Sequence, residues 1–65
     1  MMFTAQQARS KARWVSQYVK GAYGIQIIED FDSGSAWVRF RNSCGNERTI
    51  SNLEEFIAYR DTEGQ

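Results

Sequence analysis

The segment Ala36-Trp37-Val38-Arg39-Phe40-Arg41-Asn42 sets Ala36, Val38 and Phe40 against Trp37, Arg39 and Arg41 with a strict period of two. Only an extended strand turns that period into one apolar and one polar face. A strand of this kind needs neighbours to pair its backbone and a partner layer to cover its apolar side. Most of the fold follows from supplying both within 65 residues, a length that allows one small domain, 1–65, and no second core.

The neighbours lie on either side in the chain. Ile25-Gln26-Ile27-Ile28-Glu29-Asp30-Phe31 is rich in β-branched residues and too short for a helix, and turn chemistry at Asp32-Ser33-Gly34-Ser35 separates it from the central strand. Glu47-Arg48-Thr49-Ile50-Ser51 makes a third strand after the turn residues Ser43-Cys44-Gly45-Asn46. Parity selects the hairpin. A three-residue loop of Cys44, Gly45 and Asn46 sets Ile50 beside Phe40, in phase with the apolar face, whereas a two-residue Gly45-Asn46 turn sets Ile50 against Arg41.

Helices flank the strands. Thr4 followed by Gln7 has the capping-box form, and Ala5, Ala8, Ala12, Val15, Val19 and Ala22 recur at steps of three and four until Gly21 and Gly24 end the helix. Ser51 to Glu54, or Asn52 to Glu55, opens a second helix, with Leu53, Phe56, Ile57 and the stem of Arg60 as its inner stripe. Residues 61–65 read as a frayed tail. The expected fold class is α+β, in the order α-β-β-β-α. It is a three-stranded antiparallel meander with both helices packed on one face and the other face open. The expected core is Ala8, Ala12, Val15, Val19, Ile25, Ile27, Val38, Phe40, Ile50, Leu53, Phe56 and Ile57.

Composition narrows the chemistry. A hydrophobic share of 42% and an aromatic share of 14% oppose intrinsic disorder. The chain has no histidine, which removes the commonest general base and metal ligand, and its single cysteine excludes a disulfide framework or a Cys-rich zinc cluster. Cys44 has Arg41 and Arg48 nearby, a setting that favours a thiolate, but it lacks a base and a pocket. Glu29, Asp30 and Asp32 lack the ligand alternation of a calcium loop, so a solvated acidic turn is the expectation. The glycines at 21 and 24 precede a strand instead of following one, which is the wrong order for a phosphate loop. No catalytic residue, metal or cofactor is expected, and the chain reads as non-enzymatic. The start of the chain has no secretory pattern and no apolar run is long enough to span a bilayer, so a cytoplasmic protein that does not engage a membrane is expected.

Binding is the remaining class. The zero net charge conceals a separation: residues 1–24 hold Arg9, Lys11, Arg13 and Lys20 with no acid, and residues 25–65 hold four arginines against all eight carboxylates. On a helical wheel Arg9, Arg13 and Lys20 cluster on the outer side of the first helix. Trp14 and Tyr18, four apart, flank the small-residue stripe as peripheral core or as an interface pair. Trp37 with Arg39 and Arg41 stands on the open sheet face, the combination of rigid anchor and planar donors that interfaces enrich. These eight residues are the candidate partner-binding set. The leading expectation is a small protein-binding module, an inhibitor or adaptor acting by occupying a surface, a form often used by phage or mobile-element accessory factors. The alternative is nucleic-acid binding through Trp37, Arg39, Arg41 and the basic first helix. Homodimerisation is open.

The order helix, three strands, helix is also that of double-stranded-RNA-binding domains. The start of their last helix is basic, whereas here it carries Glu54 and Glu55, so the likeness ends at the order of elements.

Overall fold

In the computed structural model, residues 2–62 are described. The elements run α1 (Ala5–Tyr18), β1 (Tyr23–Asp30), β2 (Ser35–Arg41), β3 (Glu47–Ile50) and α2 (Leu53–Thr62). The three strands form an antiparallel sheet in the order β1-β2-β3. Ala36, Val38 and Phe40 lie buried in one cluster with Ala8, Ala12 and Val15 of α1 and Phe56 and Tyr59 of α2. Both helices therefore share one face of the sheet, as the alternation of β2 requires.

The capping box of α1 is formed in full. The Gln7 backbone N–H donates to Thr4 Oγ1 at 3.3 Å, and the Thr4 N–H donates to Gln7 Oε1 at 3.0 Å. The helix stops earlier than its stripe of small residues, at Tyr18, with Val19 as the C-terminal cap. Gly21 then takes a positive φ of 79°, and the position a Cβ would occupy lies 2.6 Å from Ser43 Cβ of the β2–β3 loop. Val19, Ala22 and Ile25 still pack on the core, half-buried, from the turn and the first strand.

Two irregularities shape the sheet. Between the Tyr23–Arg41 and Gln26–Arg39 pairs, Gly24 and Ile25 oppose Phe40 alone, a β-bulge for which Gly24 supplies the left-handed residue at φ 64°. In the second hairpin Ile50 pairs with Val38 and Phe40 with Arg48. The expected pairing of Ile50 with Phe40 is thus two residues out. Its parity is right, so Ile50 still reaches the core. The reason is Asn42, whose Oδ1 accepts the backbone N–H of both Cys44 and Asn46 at 3.0 Å. This side chain mimics a turn within the loop and lengthens it to residues 42–46.

Of the two expected starts of α2 the one at Asn52 forms, and the expected inner stripe requires correction. The Asn52 Oδ1 accepts the Glu55 N–H at 2.8 Å. Tyr59 is buried beside Phe56, whereas Leu53 is 54% exposed and Ile57 38%. Rotation of the helix is set by aromatic docking. Phe56 meets the Trp14 ring edge-on with centroids 5.0 Å apart, and Tyr59 meets Phe40 likewise at 5.4 Å. Asp61 and Thr62 continue the helix instead of fraying; the remainder of the expected tail lies outside the described residues.

The N-terminal segment adds a feature absent from the expected core. Phe3 is buried, donates its N–H to the Ser51 carbonyl at 2.8 Å and accepts from the Ala36 N–H at 2.7 Å. With the Met2–Asn52 bridge, it occupies the place beside β2 that β3 vacates when the chain turns into α2. Ala36 and Phe3 thereby join the core. Ile27, expected inside, is 36% exposed because it sits on the edge strand.

Candidate protein-binding face

The open side of the sheet is organised as three cross-strand rows. Ile28 pairs with Trp37, Gln26 with Arg39 and Thr49, and Tyr23 with Arg41 and Glu47. The bulge at Gly24 keeps Tyr23 on the same face as Gln26. Without the extra residue, alternation would send one of them to the helix side.

Side-chain contacts hold the two arginines in place. Arg39 Nη2 donates to Gln26 Oε1 at 2.9 Å, across β1 and β2. Arg41 Nη1 donates to the Gly45 carbonyl at 2.8 Å, and its other terminal nitrogen lies 4.0 Å from Glu47 Oε1. Each guanidinium has five N–H donors, so the orienting contacts use only part of its donor set. Trp37 is half-buried and pairs across the strands with Ile28, and the two form the apolar end of the face. Where the rows meet the bulge, a depression of about 290 Å³ opens between Tyr23, Gln26, Arg39, Arg41 and Glu47. Charge on this face is mixed.

The remaining candidates lie on the other side of the sheet. Trp14 is half-buried between Tyr18 and Phe56 and packs against the core, with the Tyr18 ring 5.5 Å away and itself 58% exposed. The pair thus divides into one peripheral core residue and one surface residue. Arg9 and Arg13 are exposed on α1. Lys20 is not on the helical face with them, because α1 ends before it. Trp37, Arg39 and Arg41 accordingly lie on one side of the molecule and Arg9, Arg13 and Tyr18 on the other, with the core between them, while Trp14 belongs to the core margin and Lys20 to the turn before β1.

Two features escaped the sequence reading. Lys11 Nζ sits 4.5 Å from the centroid of the Phe56 ring. This cation–π contact belongs to a shallow depression between α1 and α2 that Arg13, Trp14 and Arg60 also line. Phe31, at the tip of the β1–β2 hairpin, is 86% exposed beside Asp30 and Asp32. The sequence assigns it to the end of the first strand, whereas β1 stops at Asp30 and leaves Phe31 in the turn.

Cys44 is free and exposed in the β2–β3 loop. Asp30 Oδ1 accepts the Asp32 N–H at 3.1 Å, so one member of the acidic run is engaged in ordering its own turn. Among the described residues no group of three or more potential metal ligands converges. No helix among them is long and apolar enough to cross a membrane.

No protein-family model matches the chain, and comparison with curated proteins and with solved structures likewise found no match.

Proposed function

We propose that the chain is a small protein-binding module that occupies its partner through the open sheet face, as an inhibitor or adaptor without a catalytic step. One observation carries this reading: neither helix covers that face, and its rows place a half-buried tryptophan beside two arginines held by hydrogen bonds. Pre-orientation matters because ordering flexible side chains is a major cost of association. Aromatic and arginine anchors of this kind dominate binding energy in protein interfaces. The mixed charge of the Tyr23–Arg41–Glu47 row fits a protein surface better than a phosphate backbone. An exposed, unpaired Cys44 supports a reducing, cytoplasmic setting.

Nucleic-acid binding by the combined set has less support, since a single strand would have to pass round a sheet edge to meet both Arg39 and Arg13. Affinity capture from host lysate with the wild type and Trp37→Ala in parallel tests the proposal. A partner retained by the wild type and lost by the variant, with weak dependence on salt, supports it. Equal capture by both overturns the site. Tight binding of oligonucleotides that weakens steeply with salt overturns the class.

A further inference from the structure

We propose that a second copy of this chain docks antiparallel along the free edge of β1, joining the two sheets into one of six strands about a two-fold axis. Among the described residues β1 is paired on its β2 side alone, and it runs for eight residues. The opposite edge is different. β3 has four residues, and the Met2–Asn52 and Phe3–Ala36 bridges fill the space beyond it. Long edges are normally defended by proline, lysine or an inward-pointing charge in mid-strand. β1 has neither proline nor lysine, its acids stand at one end, and its bulge lies at the other. The regular stretch between them, Gln26–Ile28, is undefended.

The apolar face is also unfinished there. Ile27 lies directly opposite Val38, which is fully buried, yet Ile27 itself remains 36% exposed. A two-fold pairing with Ile27 opposite its own copy covers both isoleucines on the helix side. Ile28 then falls opposite Gln26 of the second copy on the outer face. A one-residue slip is excluded, since it would oppose residues from different faces.

Charge selects the direction. The turn leading into β1 carries Lys20, and the far end of the strand carries Glu29, Asp30 and Asp32. Antiparallel docking brings each cationic start to the acidic end of the other copy, twice by symmetry. Parallel docking would set acid against acid. The inference does not depend on the proposed role of the outer face, although it would place two Trp37 sites side by side.

Sedimentation velocity over a wide concentration range at low salt, with hydrogen exchange of β1 amides, provides the test. The wild type is expected to dimerise, with exchange in β1 slowing as concentration rises and the dimer weakening with added salt. Ile27→Lys is expected to be monomeric with an intact melting transition. Lys20→Glu, in an exposed turn, should weaken the dimer roughly tenfold because two ion pairs become repulsions together. Adding Asp32→Lys to Lys20→Glu should restore it. A wild type that stays monomeric with concentration-independent exchange overturns the proposal. So does a dimer that both Ile27→Lys and Lys20→Glu leave unchanged. Should Ile27→Lys fail to fold, Lys20→Glu and its rescue decide alone.

Discussion

Gly21 is the position where a single methyl group is least tolerable. Its φ of 79° is costly for any residue with a Cβ, and that Cβ would fall 2.6 Å from Ser43 Cβ. Gly34 has a similar φ of 73° but faces open space. Gly34→Ala should therefore cost about 1 kcal/mol from backbone conformation alone, and Gly21→Ala measurably more; denaturant melts of both variants check the order. Glu55 carries a pH signature. Its carboxylate accepts from Ser51 Oγ at 2.6 Å and from the Ser51 N–H at 2.8 Å, and these bonds hold its pKa below the usual glutamate range. A depressed folded-state pKa adds stability that is present above the unfolded value and lost as pH falls through the folded one. Glu55→Gln should lower the melting temperature at neutral pH and flatten the acid limb of its pH profile, which a series of thermal melts reads directly.

At the scale of elements, α1 was the most legible part of the chain. Its cap is a local pattern, and Thr4 and Gln7 satisfy each other without help from the rest of the molecule. Thr4→Ala should cost about 1 kcal/mol, with loss of protection at the first amides of the helix in hydrogen exchange. The second hairpin was legible in phase and not in register. Alternation determines which residues face inward, but the loop length depended on two hydrogen bonds to Asn42 Oδ1 that composition does not announce. The rotation of α2 was least legible. Leu53, Phe56, Ile57 and Arg60 satisfy helical spacing as well as Phe56 and Tyr59 do. The choice between them rests on rings from α1 and β2, Trp14 and Phe40, reaching the helix.

Across the whole molecule the two faces of β2 should respond differently to truncation. Phe40 is among the largest fully buried side chains, and Phe40→Ala should cost ~3–5 kcal/mol, enough to unfold much of so small a domain. Trp37 stands on the open face with Ile28 as its cross-strand neighbour, so Trp37→Ala should stay folded at a cost of about 1 kcal/mol at most. Parallel thermal melts of the two variants separate core from surface. A collapse of Trp37→Ala would mean that the open face is buried in solution.

The alternation of β2, the small-residue stripe of α1 and the turn residues between strands settled the element order and the inward set of the central strand. Each of these is a short-range pattern that steric and hydrophobic rules read without reference to distant residues. The charge separation was equally visible, being a matter of counting. Its arrangement in space was not. Packing of α1 on the inner face sends Arg9 and Arg13 to the opposite side of the molecule from Arg39 and Arg41. The end of α1 at Tyr18 leaves Lys20 at the mouth of β1. Burial of Phe3 and Tyr59, and the exposure of Ile27, Leu53 and Ile57, arose the same way. A side chain's burial depends on what arrives to cover it, and the covering groups here come from parts of the chain that no local pattern connects.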